Sequence, residues 1–401
     1  MFVYADNAAT TKIDPEVLKV MLPFLKENFG NPSTFYSKGR EVSLAIEHAR
    51  EQVAQAIGAK PSEIYFTSCG TESDNWAIRG IASRYTEKRG KHIITTNIEH
   101  HAVLHTLKAM EKEGYEVTYL PVDREGFISP HQVEDAIRPD TLLITVMTAN
   151  NEIGSVQPIV EIGKIARAHK VLFHTDAVQA VGHIPVNVEE MQVDLLSLSA
   201  HKFCAPKGIG ALYIRKGVLP NNLLQGGGQE RGKRPGTENT AAIVGMGAAI
   251  EKAVRTMEQN TAKISVLRDR LIAGIMNNIP YCIRNTPTHD MLPGTVNISV
   301  RYIEGESLLL LLDMNGICAS SGSACASGSL DPSHVLLALG LPHETAHGSV
   351  RFSLNHENTI EQVDYIIQTM QSITTRLRDM SPLWENVSKE SSFQEKEPVV
   401  L

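Results

Sequence analysis

The sequence predicts an α/β fold: a large domain built on a mostly parallel sheet, followed by a smaller α/β domain. Three observations predict it. Between about residues 60 and 215, short apolar runs alternate with segments of helical period, the pattern of βαβ units. After about residue 240 the pattern changes to one long helical stretch and then to fewer, more widely spaced strands. The length of 401 residues corresponds, at roughly 150 residues per domain, to two or three domains.

Taken in order, the strand candidates of the first part are IYFT (64–67), HIITT (92–96), VTYL (117–120), LLITVM (142–147), VLFHT (171–175), LLSLS (195–199) and GALYI (210–214). Each is rich in β-branched or other large apolar residues. Amphipathic stretches at 71–88, 101–113 and 159–169 fill gaps between them as helices. A helical segment follows over 240–278, then a strand TVNISV (295–300), a Leu-rich helix (304–314), a loop of small residues (319–330), a strand SVRFSL (349–354) and a helix (358–378). The expected division is a large domain over 15–260, a small domain made of 1–14 with 261–384, and a loosely held tail over 385–401, poor in apolar residues.

Composition excludes several classes. Lys and Arg number 38 against 45 Asp and Glu, a net charge of −7. Such a chain is a poor general binder of nucleic acid or anionic membrane. Hydrophobic content of 42% and charged content of 21% are those of an ordinary globule. The opening MFVYADNAATT has no basic stretch leading into an apolar one, so no leader is read there. No run reaches the roughly 18 apolar residues of a membrane span, and LLLLL at 308–312 stops at Asp313. The five cysteines (Cys69, Cys204, Cys282, Cys318, Cys325) are odd in number, scattered and without a CxxC pair. That argues against a disulfide framework or structural zinc and for a reducing compartment, the cytoplasm.

In a parallel α/β sheet, ligands bind beyond the carboxyl ends of the strands, and polar residues cluster there. IYFT is followed by SCGTESDN (68–75), where small residues lead into a helix with Glu72 in its first turn; a plain cap at Thr71 or a phosphate site would both read this way. HIITT is followed by NIEHHAV (97–103), LLITVM by TANNEIG (148–154), VLFHT by DAVQ (176–179) and LLSLS by AHKFCAPKG (200–208). Singly, these are a structural histidine, an Asn turn, a helix cap and a surface lysine. Jointly, they are the inventory that pyridoxal phosphate needs: a lysine amine for a Schiff base, a carboxylate for the pyridinium nitrogen, N–H and hydroxyl donors for the phosphate, and a flat side chain against the ring.

ICASSGSACASGSLD (317–331) is nearly all small residues, too polar for a core strand and too rich in Gly and Ser for a stable helix. Cys325 sits at its middle among Ala and Ser rather than bulky apolar neighbours, which favours an accessible thiol over a packed one. Cys69, Cys204 and Cys318 read as small fillers.

DNAATT (6–11), GNPS (30–33), TES-DN (71–75), EHHAV (99–103), NNEIG (150–154), DAVQ (176–179), SAHKFCAPKG (199–208) and SSGSACASG (320–328) together resemble the group I cysteine desulfurases, the NifS/IscS family. The resemblance runs from residue 3 to about 384, and GGGQERGKRPGTEN (226–239) resembles the NifS-like branch. It implies a fold-type I, aminotransferase class V-like pyridoxal 5'-phosphate enzyme that is a homodimer. It implies that Lys202 is the Schiff-base lysine, Asp176 the pyridinium partner, and Gln179 the donor to the ring's phenolic oxygen. His100 is implied as the stacking imidazole and acid/base. Gly70, Thr71, Ser199 and His201 are implied as phosphate ligands, and Thr237 as a hydroxyl reaching the other subunit's phosphate. Asn151 is implied near substrate and ring, Arg351 as the clamp for the substrate carboxylate, and Cys325 as the sulfur acceptor. The implied reaction takes sulfur from L-cysteine, leaves L-alanine and a persulfide on Cys325, and delivers sulfur to an iron–sulfur scaffold protein of the NifU/IscU type. Cys325 is also the expected transient ligand of an iron–sulfur cluster. The rival readings are a selenocysteine lyase or other enzyme of the same fold, and a non-enzymatic sulfur carrier or scaffold.

Overall fold

The computed structural model describes residues 1–321, 332–382 and 384. The chain order is β1 (Val3–Tyr4), α1 (Pro15–Lys26), α2 (Ser37–Ala56), β2 (Ile64–Thr67), α3 (Gly70–Arg89), β3 (His92–Thr96), α4 (His101–Lys112), β4 (Glu116–Leu120), α5 (Pro130–Asp135), β5 (Thr141–Thr145), α6 (Ile159–Ala168), β6 (Leu172–Asp176), α7 (Val188–Met191), β7 (Leu195–Ser199) and β8 (Gly210–Ile214). Then come the single turn α8 (Gln229–Gly232), α9 (Thr240–Asn278), β9 (Cys282–Arg284), β10 (Thr295–Val300), α10 (Gly305–Met314), β11 (Ile317–Cys318), α11 (His334–Ala338), α12 (His343–His347), β12 (Ser349–Ser353) and α13 (Ile360–Asp379).

Seven strands form one sheet in the order β2-β8-β7-β6-β5-β3-β4. Only β8 runs against its neighbours β7 and β2; the other pairs are parallel. Strands β3, β5, β6, β7 and β8 are buried along their whole length, as a sheet covered by helices on both faces requires. One face packs Ile94, Ile144, Phe173, Leu196 and Leu198 with α2 and the start of α9; the other packs Ile93, Leu143, Leu172 and Leu195 with α3 and α4. Alternate residues of each strand thus serve opposite layers.

A second, three-stranded sheet (β12-β10-β9) is antiparallel and packs with β1, the end of α9, α10 and α13 around Leu271, Val296, Ile298, Leu308, Phe352 and Ile366. Helix α9, capped by Asn239, joins the two cores: Ala242–Ile250 belong to the first and Ile264–Ile275 to the second. The chain start crosses back between them. Strand β1 pairs with β11, Asp6 bridges to Ser353, and Asn7 N–H donates to Ser353 O at 3.2 Å.

Candidate active site

The carboxyl ends of β2, β3, β5, β6 and β7 open into one cavity of about 360 Å³. Gly70, Thr71, His100, Asn151, Asp176, Gln179, Ser199, His201 and Lys202 line it from these strand ends, and Arg351 reaches it from β12 of the other sheet. Strand β8, the antiparallel member, ends on the opposite side and contributes none of these residues.

Lys202 follows β7 through a short 3-10 turn. Its ammonium donates to Ala8 O at 2.7 Å and Ala9 O at 2.9 Å. Gln179 Nε2 donates to the same Ala8 O at 2.9 Å. The strap 5–11 is itself locked to the lysine segment: Thr11 Oγ1 donates to His201 O and accepts from Cys204 N–H, both at 2.8 Å, and His201 Nδ1 lies 3.1 Å from Thr10 Oγ1. Cys204 takes a left-handed φ of 63°, a conformation rare for non-glycine residues and tolerated where surrounding bonds fix it. The DNAATT motif thus positions Lys202 from across the chain.

His100 is the N-cap of α4: its Nδ1 accepts Ala102 N–H at 3.1 Å, which leaves the neutral ring's proton on Nε2. Burial and the nearby positive charge of Lys202 hold His100 down at about 4, so it is uncharged near neutral pH. Burial and the Lys202 charge likewise hold His201 at about 4. Asp176 ends β6, with Oδ1 accepting Val178 N–H at 2.9 Å. Burial raises it, while that N–H and the Lys202 charge pull it back. In NNEIG, Asn150 is structural: its Oδ1 accepts the N–H groups of Glu152 and Ile153, and its Nδ2 donates to Ile98 O. Asn151 is the one that faces the cavity. Arg351 is 2% exposed; Nη2 meets Asp6 Oδ1 at 2.9 Å, Nη1 donates to Asn151 O at 2.8 Å, and Nε has no hydrogen-bond partner among the described residues.

These residues fit a phosphorylated, cationic heterocycle. Ser199 Oγ is buried in the cavity wall with no hydrogen-bond partner among the described residues, a costly state that an acceptor in the cavity relieves. Helix α3 starts at Gly70, one residue before the cap expected at Thr71, and its N-cap is the extended Cys69. The leading N–H groups of a helix lack intrahelical partners and favour an anion. A Cβ on Gly70 would stand 2.7 Å from Val178 Cγ2, so this close approach needs glycine. Asp176 supplies the anion at the far end.

Thr237 does not join this group. It is exposed and lines a separate cavity of about 200 Å³ with Ser68, Glu230 and Arg234. Cys325 lies outside the described residues. On either side of it in the chain, Ser320 exchanges backbone hydrogen bonds with Arg351 (3.1 and 2.6 Å), Ser333 Oγ bonds Glu152, and His334 Nε2 contacts Glu99 O at 3.0 Å. Three polar wall residues were missed in the sequence: Asp74, Glu152 and His334. The first two sit inside motifs already singled out, TES-DN and NNEIG; His334 had no signal beyond its nearness to the cysteine loop. Glu152 is pushed up to about 7 by burial, against the Ser333 hydroxyl and the Arg351 charge. Among the described residues, no group of three His, Cys, Asp or Glu is arranged to hold a metal ion, and no helix is long and apolar enough to cross a membrane.

Comparison with known proteins places the chain in a family. The family described as aminotransferase class-V matches residues 3–366. Cysteine desulfurase IscS of Clostridium botulinum is 57% identical over 390 residues, 96% of this chain and 98% of the relative. A solved NifS-like protein superposes with a TM-score of 0.89 at 42% identity, covering 94% of this chain and all (100%) of its own. SspA, solved in complex with cysteine, gives 0.78 at 39% identity, covering 89% of this chain and 100% of its own.

Proposed function

The chain belongs to the class-V aminotransferase family and, within it, to the cysteine desulfurases, and from that premise we propose the following division of roles in a pyridoxal 5'-phosphate enzyme that takes sulfur from L-cysteine. The observation that carries it is the meeting of Lys202, Asp176, Ser199 and Arg351 on one cavity drawn from both sheets. Gly70, Thr71, Ser199 and His201 hold the phosphate, Asp176 the ring nitrogen, Gln179 the phenolic oxygen, and Lys202 the aldehyde carbon. His100 lies against the ring. Thr237 serves the phosphate of the partner subunit's site in a homodimer, consistent with its position away from its own chain's cavity. When bound, the cofactor stores the electron pair released at the substrate's Cα.

Every other step belongs to side chains. Arg351 pairs with the substrate carboxylate, for which its planar fork suits two hydrogen bonds. Asn151, whose carbonyl holds Arg351, stands beside the same substrate. The Lys202 amine, once displaced, takes the Cα proton. His100, neutral and carrying its proton on Nε2, moves a proton at the substrate sulfur. The Cys325 thiolate attacks that sulfur; the new S–S bond forms as the C–S bond breaks, the bonding pair leaves with carbon, and protonation gives L-alanine. The persulfide on Cys325 is a reversible sulfur carrier. The anchoring of Ser320 and Ser333 at Arg351 and Glu152 supports placing Cys325 in this role.

The sulfur goes to an iron–sulfur scaffold protein, and Cys325 serves as the transient cluster ligand during transfer. The cytoplasm is the compartment that suits four described free thiols. The two domains divide as 15–260 against 1–14 with 261–384. The test is Cys325→Ala: the purified chain keeps its cofactor absorbance and loses alanine production from cysteine. Undiminished alanine production would remove Cys325 from the reaction.

A further inference from the structure

The cavity that holds Asp176 is lined by a second acid that the roles above leave unused. Asp74, on the first turns of α3, is 1% exposed and lines the same cavity as Asp176. Its neighbours come from four elements. From β6 come Asp176 and His174; from β7 comes Ser197; from the segment after β3 comes Glu99; from the turn before α3 comes Cys69. Asp74 Oδ1 has no hydrogen-bond partner among the described residues and lies 3.6 Å from His174 Nε2.

His174 is fully buried and bonded at both nitrogens, Nδ1 to Thr145 Oγ1 at 2.9 Å and Nε2 to Ser197 Oγ at 3.0 Å. Burial keeps it neutral, at about 3. It offers Asp74 no counter-charge. Glu99 is held at about 8 by burial, so it adds no negative charge near neutral pH. The two aspartates are therefore buried acids on the wall of one cavity whose like charges oppose each other, and both cannot ionise cheaply. Their surroundings decide between them. Asp176 has the Val178 N–H and the Lys202 charge, both of which favour its anion. Asp74 has the Ser197 hydroxyl and one bare oxygen, and a bare oxygen costs far less on a neutral acid than on a carboxylate.

We propose that Asp74 carries the proton of a buried Asp74–Asp176 pair, fixed by Ser197 and His174, and thereby leaves Asp176 as the single anion facing the cavity. Asp74 is then a positioning residue that acts through Asp176. Its consequence for a cationic ring rests on the cofactor reading above; the proton assignment stands on the chain alone. Burial and the Asp176 charge both raise Asp74, in agreement.

The experiment is infrared spectroscopy of the full-length chain carrying carbon-13 label in aspartate side chains, across pH, with cofactor bound and after its removal. A protonated-aspartate carbonyl band is expected near neutral pH and is lost in Asp74→Asn. In Asp176→Asn, the band's disappearance with rising pH moves down by roughly one to two units, because the like charge is gone. Asp74→Ser, which keeps a small polar group beside Ser197, serves if Asp74→Asn does not fold. A band that survives both Asp74 substitutions, or a titration that Asp176→Asn leaves in place, overturns the proposal. Failure of the cofactor reading would instead appear as absent cofactor absorbance with the band unchanged.

Discussion

The seven-stranded sheet and the three-stranded sheet meet at one cavity but reach it differently. The first contributes through the ends of five strands, so each polar group sits within a few residues of a sheet strand, and Lys202 and Gln179 are tied in addition to the strap at Ala8 and Ala9. The second contributes Arg351 from the middle of β12, held by Asp6, Asn151 O and Ser320. Those partners come from the chain start, the first sheet and the edge of the cysteine segment. The cofactor side of the cavity is thus placed by where the strands end and tied by one strap from the chain start, whereas the substrate side rests on one arginine bonded to three regions far apart in sequence.

Substitutions can separate the two sides. Lys202→Ala strikes the first and has the largest expected effect: a loss of turnover of about 10³-fold or more, together with loss of the lysine-linked cofactor absorbance, with Arg351 left in place. Steady-state kinetics and the visible spectrum check both. Retention of the band would place the linkage on another amine. Arg351→Lys strikes the second. It keeps the charge but loses the fork, and the KM for cysteine is expected to rise by about tenfold to a hundredfold, the worth of a charged hydrogen bond or two, while cofactor absorbance stays. Equal losses in cofactor binding and KM would show that the sides are not separable.

Glu99 sharpens the comparison from the first sheet's interior. Its Oε1 accepts from Thr96 Oγ1 at 2.7 Å and Met147 N–H at 2.9 Å, and its Oε2 has no partner among the described residues. Burial raises it to about 8, from 4.5. A carboxyl raised on folding contributes stability that is full below 4.5 and is lost as pH rises toward 8. Glu99→Gln removes that dependence. The stability difference, variant minus parent, should therefore climb between pH 5 and 8 by at most about 1.4 kcal/mol per pH unit. Urea unfolding at several pH values measures it, and a flat difference would mean that Glu99 is ionised in the folded chain.

Much of the first side was legible in the sequence. Strands IYFT, HIITT, LLSLS and GALYI have the expected bounds, because strands inside a sheet covered on both faces are short, largely apolar runs between polar turns. The groups near the cavity were legible because such strands end at it. Helices α1 and α2 were not read: α2 buries Val42, Ile46, Ala49 and Val53 at helical spacing, but its charged residues hide the stripe. Strand β9 has only three residues, too few to show a period. The strap that binds Lys202 was visible as a motif, but a backbone carbonyl acting as acceptor leaves no residue-type signal. Asp74 was hidden by its setting, since an acid one turn into a helix ordinarily faces solvent.

The central claim is that carbon chemistry is done on the first side and that sulfur is received by Cys325. Its most direct test is incubation of the cofactor-bound chain with sulfur-35 cysteine, followed by non-reducing digestion and location of the label. Reductant-labile label is expected on the Cys325 peptide, formed together with alanine and absent in Cys325→Ala. Label on Cys69 or Cys204 instead, or alanine formed with no protein-bound sulfur, would contradict it.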